Sequence, residues 1–487
     1  MSLQLWLPLN GDLTNNGLLE NEIIPNNLSY DNSGKIGKCG RFGYGKHIDL
    51  GTVSIGKEFS ICGWFNIITH NTAWATCVQL YNSDTTLISF GTLYTTTQNY
   101  ASFNVQKNGT FIFDKYNFPF TLNQWSHFCV TVKDKKVVMY VNGQISYQGD
   151  MTDTPLYGEY KLRVGNRFIG SYYPDFKLND FRVYDHCLSP KEVKEISKGL
   201  MLHYPLDNCG FGCPNERDEL YSQLGMDENI EYDTSGYGNN GTKVGTLDYE
   251  SDTPRHSCSS YFNGTDAYIQ IPEMTLDFNS VTFSVWYKPS GNVEWGRIFD
   301  FGVGINGRGT TFLIDQNQQK MELCIQGMYP DGTNIQSSDD VFYPIVANTW
   351  YYVACSIEGT ICKWYMDGKL VMTKTLTQNI GVVTFINNFL AKSNWTVNPL
   401  NRCNISDFRI YSTCLSDSDI QELYNKPISI DNQGVMFATE VNEETTNSVK
   451  FGKNGIVDIE SINPNENTSN KFKIYKNYIE CSDIIEN

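Results

Sequence analysis

Short runs of alternating apolar and polar residues, punctuated by Gly, Asn and Asp, fill most of the chain. Alternation with a period of two is the mark of a half-buried strand, and the punctuating residues supply turns. Asp180-Phe181-Arg182-Val183-Tyr184 shows it well: Phe181 and Val183 face one side, Arg182 and Tyr184 the other. The block from Trp125 to Gly143 holds two β-rich runs, the second ending in Asn142-Gly143. A similar block runs from Trp350 to Asp367-Gly368. Asn-Gly and Asp-Gly provide the positive φ angles of a tight hairpin turn. Helical signals are few. Ser189-Pro190-Lys191-Glu192 reads as a capping box with proline at the first helical position. Ser416, followed by Asp417 and Asp419, does the same more loosely. The pattern predicts an all-β sandwich in which each domain closes with a strand and a short helix.

The pattern occurs twice. Pro8-Leu9-Asn10 is matched by Pro205-Leu206-Asp207, and Phe59-Ser60-Ile61-Cys62-Gly63-Trp64 by Phe283-Ser284-Val285-Trp286. The two tryptophan-led blocks follow in the same order. Asp180 to Tyr184 with Cys187-Leu188-Ser189 then matches Asp407 to Tyr411 with Cys414-Leu415-Ser416. The spacing between partners widens early, through an insertion in the second copy around Asn208 to Glu228, and drifts little afterwards, as loops do. A repeat of this kind sets the architecture. The expected domains are 1–199, 200–427 and a small β-rich segment, 428–487, with strand-like runs at 434–438 and 471–475.

The balance of 37 basic against 54 acidic residues gives a net charge of −17, which repels phosphate backbones and anionic lipid. Nucleic acid and membrane are therefore not expected partners, and no run approaches the ~18 apolar residues of a membrane span. Aromatics make up 14 % and charged residues only 19 %, enough packing material for folded cores. Met1 to Leu9 lacks the basic region of an export signal. Cys62, Cys129 and Cys355 sit in apolar runs as small hydrophobes, and Cys209 and Cys213 have no second pair nearby. The thiols are expected to be reduced.

Tyr232-Asp233-Thr234-Ser235-Gly236-Tyr237-Gly238-Asn239-Asn240-Gly241 resembles an early turn of the laminin-G-like, concanavalin-A-like jelly rolls. Tyr261-Phe262-Asn263-Gly264 and Asp407 to Ser416 resemble a middle and the closing strand of that family, and the first copy keeps Tyr30-Asp31-Asn32-Ser33-Gly34. The resemblance implies two tandem antiparallel β-sandwich domains over about residues 1–427. Tandem copies with a small β-rich tail further resemble virion fibre or appendage proteins of tailed bacteriophages. This implies a glycan or cell-surface polysaccharide as ligand, other virion proteins as partners, a homo-oligomer, and residence in the virion. A bacterial adhesin and a purely structural virion decoration protein are the alternatives.

Related jelly rolls also carry glycoside hydrolases. Their Glu-x-Asp-x-x-Glu strand would aim three carboxylates into one cleft. Glu216-Arg217-Asp218-Glu219-Leu220-Tyr221 breaks that pattern, so no catalytic residue is assigned. Gly302 to Gly307 matches Gly-x-Gly-x-x-Gly, but more β sequence follows where a dinucleotide site needs a helix. The resemblance implies calcium as cofactor, with Asp180 and Asp407, which open the closing strands, as its ligands; capping a turn or pairing with an arginine is the alternative. Trp74, Trp295 and Trp395 lie in loops and are the candidate sugar contacts. Trp64, Trp125, Trp286 and Trp350 are expected in the core.

Overall fold

The computed structural model divides into two compact units, Met1–Gly199 and Leu200–Asn487. It describes residues 3–425 except 21, 70–73, 94–98, 169–172, 207–226, 228, 255–257, 292, 305–310, 318–319, 327–340 and 377–378. Within residues 311–342 only Met321 has a described side chain, and beyond 425 only the backbone of short strands is described.

In the first unit one sheet runs, in spatial order, Gln144–Asp150, Lys136–Val141, Trp125–Lys133, Glu58–Thr69, Asp175–Tyr184, Cys39–Phe42, Ser29–Asp31. Leu3–Leu7 also pairs with Asp175–Tyr184. The second sheet runs Thr110–Pro119, Tyr100–Lys107, Thr86–Leu93, Ala75–Ser83, Gly158–Val164, His47–Ile55, Ile24–Asn26. Every pairing is antiparallel. Alternate residues of both sheets meet in one core, where Phe65 stacks on Phe128 at 5.3 Å and Phe42 on Phe176 at 4.8 Å. Phe181 and Val183 point into that core, as their alternation predicts.

The second unit repeats the plan. One sheet runs Leu247–Glu250, Ser259–Asn263, Arg402–Tyr411, Val281–Pro289, Tyr351–Glu358, Ile361–Met366, Lys369–Thr375, with Leu200–Tyr204 also on Arg402–Tyr411. The other runs Ile230–Glu231, Gly241–Val244, Tyr268–Ile271, Asn387–Leu390, Gly296–Gly302, Thr311–Asn317, Lys320–Gln326, Val341–Pro344. Met274–Asp277 pairs with Val382–Phe385. Phe283 stacks on Phe299 between the sheets at 5.2 Å. Near the C-terminus Ser448–Phe451, Val457–Ile462, Ser469–Tyr475 and Tyr478–Cys481 form a four-stranded meander.

Local chemistry matches the sequence. Asn142 and Asp367 both sit at φ 49° and Gly143 and Gly368 at 75°, the double positive of a hairpin turn. Pro190–Ile196 starts with a full capping box between Ser189 and Glu192. Asp417–Asn425 starts with reciprocal bonds between Ser416 and Asp419. Each helix closes a small apolar cluster on the outer face of its sheet. Trp64 and Trp286 are buried. Trp125 and Trp350 depart from the expectation and are only half-buried, because each stands at or just before the start of its strand, where the sandwich opens to its loops.

One ion pair sets a pH dependence. Asp31 pairs with Lys177 at 2.8 Å and accepts bonds from Ser33 N and Oγ. Burial works to raise its carboxyl, but the Lys177 and Ser33 donors prevail and hold it at about 2. A lowered carboxyl stabilises the fold above its unfolded value of about 3.9, and that contribution is lost as pH falls through about 2. With the pair partly open to solvent the effect is under about 1 kcal/mol. Urea midpoints of wild type and Asp31→Asn are expected to differ at pH 5 and to converge towards pH 2.

Candidate functional site

The two metal-candidate aspartates occupy the same special position in both units. Asn179 pairs with Trp64 and Arg182 with Cys62, so Asp180 and Phe181 together face Gly63 alone. Asp407 and Phe408 face Val285 in the same way. Both aspartates adopt φ 54°, which makes each the left-handed residue of a β-bulge. The backbone N–H of Asp180 donates to Pro8 O at 3.1 Å, and that of Asp407 to Pro205 O at 2.9 Å. This explains the repeated Pro-Leu pair: it carries the carbonyl that receives the bulge.

The side chains are enclosed. Asp180 and Arg182 have no exposed surface. Asp180 Oδ1 accepts from Trp6 Nε1 at 2.7 Å and Arg182 Nε at 2.8 Å, and the Arg182 guanidinium lies 4.2 Å from the Trp6 ring centre. In the second unit Asp407 Oδ1 lies 2.9 Å from His203 Nε2 and accepts from Arg409 Nε at 2.5 Å. The other His203 nitrogen lies 2.7 Å from Thr234 Oγ1. This is the arginine pairing. Calcium takes about six to eight oxygens. Asp180 and Asp407 each offer it one carboxylate with a guanidinium already seated against it, so this donor set does not fit the ion. Among the described residues no three His, Cys, Asp or Glu side chains gather around a common point.

The turn motif of the second unit is held by Asp233, which is fully buried. Its carboxylate accepts from His203 N (3.0 Å), Ser235 N (2.9 Å), Ser235 Oγ (2.8 Å) and Asn239 N (3.0 Å). Burial pushes this carboxyl up, against the pull of those donors.

The tryptophan candidates lie elsewhere, at one end of each sandwich. In the first unit the strands ending at Phe42, Thr69, Leu93, Pro119 and Val164 all finish at that end, which follows from the antiparallel order. Trp74 is 39 % exposed there, and its backbone N–H is held by Leu93 O. Tyr44 is 89 % exposed, with its ring 5.0 Å from Tyr173, and Tyr100, at the start of Tyr100–Lys107, is exposed as well. Sequence reasoning missed these tyrosines. The signal was Gly43-Tyr44-Gly45, an aromatic between two glycines that leave it no strand to bury in.

In the second unit the structure joins two of the candidates through a residue not foreseen. Trp295 is 40 % exposed and Trp395 half-buried. Arg297 donates to Trp295 O at 3.1 Å and lies 5.3 Å from the Trp395 ring centre. Arg297 is fixed in turn by buried Asp300, at 3.1 Å. Asp300 also accepts from Asn394 N (3.0 Å) and Asn394 Nδ2 (2.7 Å), which pins the loop that carries Trp395. Burial raises the Asp300 carboxyl, with Arg297 and Asn394 opposing. Trp74 at φ 67° and Trp295 at φ 62° share a left-handed backbone that bulky residues avoid.

Below the loop end of the first unit, polar residues cross its second sheet in register. Asp49 pairs with Arg163, Arg163 with Gln79, Gln79 with Ser89, Ser89 with Asn104, and Asn104 with Asp114. Their strand neighbours, such as Val78, Leu80, Ile88 and Phe103, line the core, so this row lies on the opposite face. Arg163 holds both oxygens of Asp49 and lies 4.2 Å from the Phe168 ring centre. Gln79 accepts from Phe168 N, as Asp300 does from Asn394 N.

Comparison with known proteins places this architecture. The chain resembles adhesion G-protein coupled receptor V1 of Danio rerio, 26 % identical over 166 residues, which is 33 % of this chain and 2 % of that protein's length. Domain 4 of AbnA, a GH43 extracellular arabinanase from Geobacillus stearothermophilus in complex with arabinotriose, is similar at 18 % identity, over 40 % of this chain and 98 % of that one, with TM-score 0.33. The botulinum neurotoxin serotype G binding domain is similar at 10 % identity, over 79 % and 92 %, with TM-score 0.36. The model of one family matches residues 42–194 and again 263–421, more than half of the chain, and the chain therefore belongs to the laminin-G-type family of the concanavalin A-like lectin/glucanases superfamily.

Proposed function

We propose that this chain is a non-catalytic binding protein that recognises a surface or mucosal glycan through the loop ends of its jelly rolls. The observation that carries this reading is the rim Trp295–Arg297–Trp395, in which one buried arginine donates to the Trp295 carbonyl and lies against the Trp395 ring, with both tryptophans partly exposed. Sugars offer apolar C–H faces to such rings while nearby polar groups fix their orientation. A bulky residue held at positive φ is strained, and strain of this kind gathers at functional sites. Glycoside hydrolysis needs two carboxylates about 5–10 Å apart across the bond. At this rim Asp300 is fully buried and engaged by Arg297 and Asn394, which favours binding over catalysis.

In the fuller reading the chain is a phage virion appendage and works as a homo-oligomer. That rests on the tandem domains with a small β-rich tail, and proteomics of purified particles checks it.

The test is a screen of the purified chain on bacterial-surface and mucin glycan arrays, with calcium and then with chelator. Binding in both conditions is the expected result. Binding lost in chelator would bring calcium back, at a site other than the arginine-paired aspartates. Absence of binding in both would leave the jelly rolls to protein contacts.

A further inference from the structure

On the outer face of the first sheet of the second unit, Lys288 and Asn404 stand directly opposite each other on neighbouring strands. Lys288 is 7 % exposed and Asn404 1 %. Glu250 reaches both from Leu247–Glu250: its Oε2 accepts from Asn404 Nδ2 at 2.9 Å and lies 3.5 Å from Lys288 Nζ. Asn404 Oδ1 is buried with no hydrogen-bond partner, a costly state for a carboxamide kept only for its hydrogen bonds. Lys288 Nζ also lies 5.6 Å from the Trp350 ring centre, and 2.8 Å from Asp252 on the solvent side.

The first unit holds the same pair exchanged between the same two strands. Asn66 stands where Lys288 does and Lys177 where Asn404 does, again directly opposite. Asn66 Oδ1 is likewise buried without a partner. A lysine and an asparagine are thus kept together in both copies although their strands have swapped them.

We infer that Lys288 and Asn404 form an intramolecular isopeptide bond, with Glu250 as the proton relay. The Lys288 ammonium first gives up one proton to water. The free amine attacks Cγ of Asn404, and a C–N bond forms. Glu250 then carries the second proton from the attacking nitrogen to Nδ2, to which its Oε2 is already bonded. The Cγ–Nδ2 bond breaks and ammonia leaves. Nothing is oxidised or reduced, and Glu250 returns to its starting state.

The bond would tie the tryptophan strand Val281–Pro289 to the closing strand Arg402–Tyr411. In the first unit Lys177 pairs with Asp31 and donates to Ser33, and no acid bridges it to Asn66 among the described contacts. One bond per chain is therefore expected.

The experiment is intact mass spectrometry of the denatured, reduced full-length chain, followed by peptide mapping. The expected mass is one ammonia below that of the sequence, with one cross-linked species joining the peptides of Lys288 and Asn404. Glu250→Gln, Lys288→Arg and Asn404→Ala are each expected at their full sequence masses. An asparagine succinimide also loses ammonia, but it maps to a single peptide and would not count. A wild-type chain at full sequence mass, or a lone cross-link between Lys177 and Asn66, would overturn the assignment. The readout is the mass of the wild-type chain, so it holds even if a variant folds poorly.

Discussion

Replacing Asp180 by alanine is expected to destabilise the first unit by about 3–5 kcal/mol, the loss seen when one partner of a buried ion pair is removed. The cause is the arginine left behind. Arg182 is wholly enclosed beside the Trp6 ring and finds its counter-charge at Asp180 Oδ1. Trp6 Nε1 loses its acceptor as well. Alanine is also poorly suited to φ 54°, where the bulge holds this residue. Asp180→Asn, which tolerates a left-handed backbone and keeps one acceptor oxygen, is expected to cost clearly less. Urea denaturation gives the magnitude, and hydrogen exchange shows whether the weakened strands are Leu3–Leu7 and Asp175–Tyr184. Chelator is expected to leave the wild-type midpoint unchanged. A chelator-induced drop matching that of Asp180→Ala would make the carboxylate a metal ligand instead.

The second large effect lies in the other unit. Asp233→Ala removes the acceptor of four hydrogen bonds, from His203 N, Ser235 N, Ser235 Oγ and Asn239 N. Buried donors left unsatisfied cost about 1–3 kcal/mol each, and relaxation of the turn recovers part of that, so a net loss of about 3–5 kcal/mol is expected. The damage should spread by a defined route. Asp233 fixes the backbone of His203, and His203 meets both Thr234 and Asp407. Hydrogen exchange should therefore rise in Leu200–Tyr204 and around Asp407, while Met1–Gly199 keeps its protection. A loss below about 1 kcal/mol would mean that water replaces the carboxylate, and would remove Asp233 as the organiser of the turn.

How far the sequence speaks depends on the range of each interaction. Hairpin turns and helix caps are decided within four residues, so Asn142-Gly143, Asp367-Gly368 and the Ser189 box were legible at once. Strand faces follow from alternation, so Phe181 and Val183 were placed correctly. Asp180 and Asp407 stand out in the sequence, but what encloses them does not. The indole of Trp6 and the carbonyl of Pro8 come from the far end of the unit. Trp125 and Trp350 look like core residues because apolar runs follow them, and only the three-dimensional order shows that their strands begin at the open end. The rim is alike in this. Trp295 and Trp395 read as loop tryptophans, but Arg297 sits inside what reads as an ordinary strand start. Lys288 and Asn404 are brought together only by strand register, which no local pattern reports.

The loop-end indoles are proposed as the ligand surface. The most direct measurement compares wild type with Trp295→Ala and Trp395→Ala on the same glycan array, with thermal unfolding run in parallel. Loss of an aromatic contact at a binding site costs about 2 kcal/mol or more, which is roughly a thirtyfold fall in affinity. That fall is expected with the unfolding temperature nearly unchanged for Trp295→Ala, since Trp295 is 40 % exposed. Undiminished glycan binding by both variants would contradict it, and would move the ligand away from this end of the sandwich.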